Sequence, residues 1–230
     1  MVKRNGVLAF LGILAVIALA VAGCGGGGGG GGGTDVVRGG IPYFPLVTTK
    51  QLTYTGGTSN PGDTTTRIMG ATATKNGQTV FVMYVSVNGV TQDTQYWSAH
   101  NDTVFLVGEN TGAGDVFYNP NPAGPGIYMV TTPPGGSYPS WHQDVNASDG
   151  TAYTVDTTTV SGLTVTVPAG TFTGVMKTRQ QWQSIGGTQI RLLWLANDPV
   201  KQVGIIQAGY EDPITHDEVI TSRLSAVTNP

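Results

Sequence analysis

The chain has 230 residues, of which 11% are charged, and its formal net charge is −3. Soluble domains carry about 25% charged residues, so this chain is unusually poor in charge. Removal of an N-terminal segment containing Lys3 and Arg4 leaves nine basic and fourteen acidic residues, a net charge of −5. The basic residues are scattered. This argues against a nucleic-acid-binding protein, because such a protein needs a clustered basic face to neutralise phosphates.

A secretory signal peptide is predicted for residues 1–23. The basic start is followed by sixteen uncharged residues, from Val7 to Ala22, which is short for a membrane-spanning helix of about 20 residues. Residues 21–24 read Val-Ala-Gly-Cys and match the bacterial lipobox. Cleavage between Gly23 and Cys24 would leave the cysteine as the new N-terminus, with a diacylglyceryl group on its sulfur. The alternative is an uncleaved anchor helix with an incidental cysteine.

Residues 24–40 are predicted to be the lipidated cysteine followed by a glycine-rich tether. Nine consecutive glycines, residues 25–33, behave as a flexible coil with a root-mean-square span of about 15–18 Å. Two or more acyl chains, such as diacylglyceryl and palmitate, hold a protein stably on a bilayer. We therefore expect the protein in the bacterial cell envelope, on the extracytoplasmic side of a membrane bound through Cys24. Gly25, where an aspartate would retain the protein in enteric-type sorting, permits the outer membrane.

Cys24 is the single cysteine, so the chain can form neither an intrachain disulfide nor a cysteine-based metal site. The remaining chain, residues 41–230, is predicted to be one all-β domain, because Val and Thr are abundant and fit a pleated sheet. Residues 41–46 contain two prolines and two aromatic residues. They are predicted to be an apolar lead-in that docks on the domain, because proline excludes helix and central strand.

Paired turn residues predict two antiparallel meanders. Asn76-Gly77 and Asn88-Gly89 are typical of two-residue hairpin turns, since both positions need positive φ. The first meander is predicted to contain strands over 51–55, 67–75, 78–87, 90–97 and 103–107, with a turn at 100–102. A loop is predicted for 108–126, and short strands for 127–131 and 138–143. The second meander is predicted over 151–160, 163–167, 171–183, 188–196 and 200–207, with turns at 161–162, 168–170, 186–187 and 197–199, and a last strand within 218–227.

No window of residues 41–230 shows an apolar 3.6-residue period over three turns, so no substantial helix is expected outside the signal segment. About ten strands joined by tight turns predict antiparallel meanders that form a curved open sheet, a sandwich or a half-barrel.

Three stretches resemble a group of uncharacterised bacterial lipoproteins. Residues 43–46, Tyr-Phe-Pro-Leu, with Leu52-Thr53-Tyr54 resemble the group's YFPL…W-x-Y opening, although Leu52 replaces the tryptophan. Residues 165–172, Val-Thr-Val-Pro-Ala-Gly-Thr-Phe, resemble its VPAGTF hairpin, and residues 194–204 resemble its W-x-A…VG strand pair. The resemblance spans residues 41–210. It implies an antiparallel β lipoprotein related to lipoprotein-carrier-like half-barrels, and it transfers no catalytic residue.

Candidate chemistry is sparse. Residues 211–218, Glu-Asp-Pro-Ile-Thr-His-Asp-Glu, are the densest group of metal-binding side chains, but they match no calcium-loop pattern and favour a solvated acidic turn. Ser140, His142 and Asp144 alternate along a predicted strand and could share a face. No nucleophile elbow or oxyanion loop accompanies them, so they are a weak candidate for acyl transfer. No catalytic residue, metal site or cofactor is predicted.

Aromatic side chains are the remaining candidates for a binding surface. Trp97, Trp182 and Trp194 lie within strong strands, which favours core packing. Trp141 and Tyr138 lie in a Pro- and Ser-containing setting and are the predicted ligand-binding residues. Residues 80–85 are apolar on both faces, typical of a covered central strand or of one wall of an apolar cavity.

These patterns favour a non-enzymatic envelope lipoprotein that binds an apolar ligand or another envelope component, with lipid, glycan or an envelope protein as the possible partner. One alternative is an envelope hydrolase that acts on glycan or ester substrates. Another is a structural or adhesive surface module.

Overall fold

The structure is a computed structural model, and it describes residues 38–56, 61–119, 126–131 and 140–228. The predicted signal peptide, the lipobox with Gly23 and Cys24, the glycine run and Tyr138 lie outside the described residues. No helix in the described ranges is long and apolar enough to cross a membrane.

The described residues form fifteen strands joined mostly by short turns. The strands are β1 (Arg38–Ile41), β2 (Phe44–Val47), β3 (Gln51–Gly56), β4 (Thr64–Lys75), β5 (Gln78–Val87), β6 (Val90–His100), β7 (Thr103–Asn110), β8 (Asp115–Phe117), β9 (Ile127–Thr131), β10 (Trp141–Asn146), β11 (Ala152–Val167), β12 (Gly170–Ser184), β13 (Gly187–Ala196), β14 (Gly204–Glu211) and β15 (Glu218–Thr228).

Thirteen strands build one antiparallel sheet. Its order is β10-β11-β12-β13-β14-β15-β3-β4-β5-β6-β7-β8, and β9 pairs with β7 beside β8. The pairing of β15 with β3 joins the two predicted meanders. The sheet is large, curved and open, which confirms the all-β prediction and decides for the curved open sheet among its alternatives.

The asparagine-containing turns are confirmed. Asn76 and Gly77 have φ values of 46° and 72°, and Asn88 and Gly89 have 50° and 81°. Both residues of each pair occupy the left-handed region, as the two-residue hairpin turn requires. The turn between β6 and β7 uses Asn101 in the same way, with φ at 47°.

The predicted turn at Ser161-Gly162 is wrong. Strand β11 runs unbroken through these residues, and its pairing with β12 shifts register between Val160 and Leu163. Gly162 has a φ of 75°, which serves a β-bulge as well as it serves a turn. The residues around Gly162 suit a turn and a bulge equally well. Strand β11 continues because β12 pairs with it on both sides of the glycine.

Three further boundaries differ from the predictions. Strand β14 begins at Gly204 rather than at residue 200, because the Asp198 carboxylate accepts hydrogen bonds from the backbone N–H groups of Val200 and Lys201 and holds them in a turn. The predicted loop at 108–126 contains β8, and the strand predicted at 138–143 lies at 141–146.

The β1–β2 hairpin is a separate two-stranded sheet that packs against the inner face of the large sheet. Here the inner face is the side that carries the main core cluster, including Tyr54, Met83, Trp97, Leu106 and Trp182. The Phe44 ring lies 4.7 Å from the Trp97 ring, and Leu46 is fully buried. The lead-in therefore docks as predicted, but as two short strands.

Gly204 shows how closely this hairpin approaches the sheet. Its φ is 66°, and a Cβ there would lie 3.2 Å from Pro45 Cδ. The backbone of the following segment also joins the sheet, since Met69 N–H donates to Lys50 C=O at 3.0 Å. The hairpin is thus fixed by close packing at one end and by hydrogen bonds at the other.

The two ends of the sheet meet without a continuous ladder. An isolated bridge pairs Tyr118 with Ala147. The Gln143 side chain on β10 accepts from Tyr128 N–H at 2.8 Å and donates to Tyr128 C=O at 3.2 Å. One amide side chain thereby replaces a backbone pair between β10 and β9. We call these contacts the seam, defined by Tyr118, Tyr128, Gln143 and Ala147.

Replacement of Gln143 tests the seam. Gln143→Leu keeps the side-chain volume and removes both hydrogen bonds to Tyr128, so we expect a loss of about 1–2 kcal/mol of unfolding free energy. The measurement is urea denaturation of the full-length protein. Gln183→Leu on the exposed part of β12 is the matched control and should change the free energy by less than about 0.5 kcal/mol. Equal denaturation midpoints for both variants would contradict the role of Gln143.

Candidate functional site

The predicted binding residue Trp141 opens edge strand β10. Its side chain is half-buried, and its indole Nε1 is buried without a hydrogen-bond partner in the described part of the chain. In the register of the sheet Trp141 lies opposite Thr157 on β11. The structure therefore places Trp141 beside the interior of the domain. It does not describe Tyr138, so the predicted pairing of these two residues stays a prediction.

His142 lies on the opposite face of β10, between two carboxylates. Its Nδ1 is 2.7 Å from Asp156 Oδ1, and its Nε2 is 3.6 Å from Asp144 Oδ1. The hydrogen bond to Asp156 is the main cause that raises the pKa of His142 above its usual value, and the charge of Asp144 adds to it. The imidazole is thus held at the surface between two acids.

This arrangement does not build the nucleophile and base that acyl transfer requires. Within the described ranges, Ser140 makes no hydrogen bond to His142, and the Nδ1 of His142 is engaged by Asp156 on the neighbouring strand. A nucleophile is activated when its hydroxyl lies within hydrogen-bond reach of the base. The geometry of His142 is therefore that of a surface charge cluster on an edge strand.

Titration of His142 checks this assignment. Asp156→Asn removes the principal partner of the imidazolium, so we expect a lower His142 pKa than in the wild type. Asp144→Asn should lower it less, because that carboxylate contributes less. The measurement is the pH dependence of the His142 ring signals by NMR. An equal or larger change in Asp144→Asn would contradict the dominance of Asp156.

The acidic segment at 211–218 forms an ion-paired turn. The Arg179 guanidinium donates from Nε and Nη2 to the two Glu211 oxygens, each at 2.8 Å, and His216 Nδ1 lies 3.0 Å from Glu211 Oε1. These contacts, with Arg179 first, lower the Glu211 pKa to about 2. Asp212 accepts from the N–H groups of Ile214 and Thr215 and shapes the turn. Each of these carboxylates has a structural partner, as expected of a solvated turn.

An additional polar cluster lies on the inner face of β6, β7 and the segment after β8. Gln95 Nε2 donates to Asp93 Oδ2 at 2.7 Å, and Tyr118 Oη donates to Glu109 Oε1 at 2.6 Å. Burial first, and the Glu109 charge second, raise the Asp93 pKa to about 6 against the opposing hydrogen bond from Gln95 and the charge of Arg67. The cluster thus contains a carboxyl group that titrates near neutral pH.

The cluster touches the aromatic core at the seam. The Tyr118 ring lies edge-on to Tyr153 and Trp182, at centroid distances of 6.4 and 6.1 Å. The Arg191 guanidinium lies 4.3 Å above the Trp182 ring. Tyr118 therefore connects Glu109 on one end of the sheet with aromatic rings on the other.

Sequence reasoning did not single out Asp93 and Glu109 among fourteen acids. A signal was present for Asp93: it alternates with Gln95 and Trp97 along β6, so a carboxylate shares a face with a buried tryptophan. The partner Glu109 had no comparable signal, because a register shift between Tyr96 and Trp97 sets which residues of β7 face it.

Asp93→Asn tests the buried carboxylate. The Asp93 pKa of about 6 in the folded protein lies above the ordinary aspartate value of 3.8. Between these values the folded state binds more protons than the unfolded state, so wild-type stability falls as pH rises from 4 to 6. The asparagine side chain does not titrate, so the variant keeps its unfolding free energy over this pH range. We expect its unfolding free energy to exceed that of the wild type by about 1–3 kcal/mol above pH 6, with the difference vanishing near pH 4.

The measurement is urea denaturation at several pH values from 4 to 8, with Asp217→Asn in the exposed turn as the control. Two results would contradict a destabilising buried carboxylate at Asp93. One is an asparagine variant less stable than the wild type at pH 7, and the other is a stability difference between the two proteins that does not depend on pH.

One cavity inside the described part of the domain is small. A cavity of about 30 Å³ lies between the β1–β2 hairpin, β3, β4 and the segment before β14, with Phe44, Lys50, Tyr54 and Arg67 among its lining residues. That volume holds one or two water molecules, whereas small-molecule pockets measure about 300–1,000 Å³. An open depression of about 440 Å³ lies at the edge formed by β10, β11 and β12.

The three other tryptophans are buried, as expected for core residues: Trp97, Trp182 and Trp194 are 2%, 4% and 6% exposed. Strand β5 is covered on both faces, since Met83 belongs to the main core and Val80 and Val82 belong to a second cluster with Tyr96 and Val107. Burial on both faces is thus sufficient to explain the apolar sequence of β5.

No protein-family model and no curated protein matches the chain. Similar solved structures include a protein from Parabacteroides distasonis provisionally assigned as a lipoprotein, with 12% identity and a TM-score of 0.49 over 83% of this chain and 100% of that one. They also include a provisionally assigned exported protein with a YmcC-like fold from Bacteroides fragilis, with 13% identity and a TM-score of 0.46 over 81% and 99%. Similarities this distant support no conclusion about fold or function.

Proposed function

We propose that this chain is a lipid-anchored, non-enzymatic protein of the bacterial cell envelope whose β-domain binds another envelope component. The observation that carries the proposal is the lipobox at residues 21–24, in which the single cysteine follows a basic start and a sixteen-residue uncharged run. Acylation of Cys24 would attach the protein to a membrane, and the glycine run would separate the β-domain from the lipid headgroups.

The interior favours an envelope component at the surface over an apolar ligand inside the sheet. Phe44, Leu46 and Val47 of the β1–β2 hairpin pack on the inner face and are at most 3% exposed. The chain itself occupies the space that an acyl chain would need. The cavity left beside the hairpin, about 30 Å³, accommodates water and no lipid tail.

The carboxylates and histidines favour a binding protein over a hydrolase. Glu211 is paired with Arg179, Asp115 with Lys75, and His142 with Asp156. Each contact stabilises a turn or an edge of the sheet. These three acids and this histidine are thereby committed to structural ion pairs.

Cys24→Ser tests the anchor. We expect the wild-type protein, expressed from its full sequence in a Gram-negative host, to incorporate labelled palmitate and to partition into detergent. Its mature N-terminal peptide should carry the diacylglyceryl and acyl masses on Cys24. Cys24→Ser should lack the label and stay at precursor mass, because serine offers no sulfur for lipid transfer. Gly29→Ser within the tether is the control and should behave as the wild type.

Unmodified Cys24 in the wild-type protein would contradict the anchor. Fractionation of the same cells locates the protein in one of the two membranes. Since Gly25 follows the cysteine, the proposal expects the outer membrane, and Gly25→Asp should shift the protein towards the inner membrane.

A further inference from the structure

A row of buried polar side chains crosses β10, β11 and β12 without hydrogen-bond partners in the described part of the chain. Trp141, Thr157 and Gln180 are successive cross-strand neighbours in the register. The unpartnered atoms are the indole Nε1 of Trp141, the hydroxyl of Thr157 and the Oε1 of Gln180. Thr157 is 1% exposed and Gln180 is fully buried.

A second pair extends the row. Thr159 on β11 lies opposite Thr178 on β12, and both hydroxyls are buried without a described partner. Buried polar groups are almost always hydrogen-bonded in native proteins, because an unsatisfied one carries its full desolvation cost. Several such atoms side by side on one face are a local exception that packing alone does not explain. Valine at the threonine positions would fit the sheet equally well.

Strand β9 covers this patch. Met129 is 4% exposed above it. The Gln180 Nε2 reaches Tyr128 C=O at 3.5 Å and Met129 Sδ at 3.6 Å, both near the limit of a hydrogen bond. In the described residues β9 has a ladder with β7 alone and meets β10 through the Gln143 side chain. Access of a ligand to the patch therefore requires β9 to move, with release of its ladder to β7 and of the buried Ile127 and Met129.

We propose that Trp141, Thr157, Thr159, Thr178 and Gln180 form a binding site for an uncharged, hydroxyl-bearing molecule, a monosaccharide or disaccharide, beneath β9. The set supplies one fixed donor, one fixed acceptor and three hydroxyls that can act as either. Sugar hydroxyls likewise donate and accept, and the indole ring gives an apolar surface for the sugar ring. Two interstrand spacings, about 10 Å, separate Trp141 from Gln180, which suits one or two sugar rings.

The charges around the patch favour a neutral ligand. None of its five side chains is ionisable. Arg191, the next residue of the row on β13, is engaged by the Trp182 ring at 4.3 Å and by Gln189 Oε1 at 3.1 Å. A phosphate or carboxylate ligand would find no free cation among the five, and a metal ion would find no carboxylate. An acyl chain would leave all five polar atoms unpaired.

This inference rests on the proposed function, since an envelope location would expose the protein to glycans. The ligand class that it adds to that function is a neutral sugar. The test uses the full-length lipidated protein in detergent. Glucose, N-acetylglucosamine and maltose, each at about 10 mM, are the probes. Binding is read from saturation-transfer-difference NMR and from the shift of the thermal midpoint, because a ligand that binds the folded state raises it.

The variants separate a binding role from a structural role. Thr157→Val with Thr178→Val should weaken sugar binding at least tenfold and raise the thermal midpoint of the ligand-free protein, because two unpartnered hydroxyls are removed. Trp141→Phe should weaken binding at least tenfold, because it removes the indole donor from the site. Thr158→Val, exposed on the opposite face of β11, is the matched control and should bind as the wild type does.

Two results would overturn the inference. One is the absence of saturation transfer to any of the three sugars in wild-type protein whose Cys24 is acylated. That result would contradict the sugar site while supporting the lipid anchor. The other is a lower ligand-free midpoint in the double valine variant, which shows that the hydroxyls serve ordered water and stability. Failure of the anchor would appear separately, as unmodified Cys24 in the same preparation.

Discussion

The packing of the β1–β2 hairpin on the inner face is the contact on which the rest of the domain depends. A curved sheet of thirteen strands has an apolar inner face that must be covered, and the hairpin covers it with Ile41, Phe44, Leu46 and Val47. Each such side chain contributes about 1.5–3 kcal/mol when buried. The hairpin is thus a small second layer of sheet, supplied by the same chain, on the inner face of the large sheet.

This filling divides the inner face into regions of different chemistry. Around Phe44 and Trp97 the contacts are apolar and close. At the seam, Tyr118 and Gln143 join the two ends of the sheet through side chains, and the neighbouring cluster contains Asp93 with its raised pKa of about 6. Between the seam and β12 lies the unpartnered row. Close apolar contacts thus lie beside a polar region in which several buried atoms have no hydrogen-bond partner among the described residues.

The elements whose cause is local were predictable from the sequence. Asn76-Gly77 and Asn88-Gly89 define their turns because positive φ is a property of those residues. Val-rich β5 was placed with its observed bounds. Gly162 was not predictable, since its positive φ suits both a turn and a bulge and the choice belongs to the partner strand. The loop before β14 depends on Asp198, whose carboxylate accepts hydrogen bonds from the backbone of Val200 and Lys201. Those bonds compete with strand pairing, and composition does not reveal which of the two prevails.

The candidate sites divide in the same way. Cys24 follows from a linear motif, whereas Trp141 was selected for its unusual setting and lies in the row that the structure assembles. The other members, Thr157 and Gln180, looked like ordinary strand residues, because only the register of three strands brings them together. Asp93 and Glu109 likewise meet through register. Long-range pairing therefore determines the sites that sequence reasoning left unassigned.

The packing of the hairpin on the inner face is the central claim, and hydrogen–deuterium exchange of the full-length protein tests it most directly. If the hairpin packs on the inner face, peptides covering residues 41–48 exchange as slowly as those from β6 and β12. Exchange of residues 41–48 as fast as that of the glycine run, residues 25–33, would contradict this and would show an interior free for a ligand.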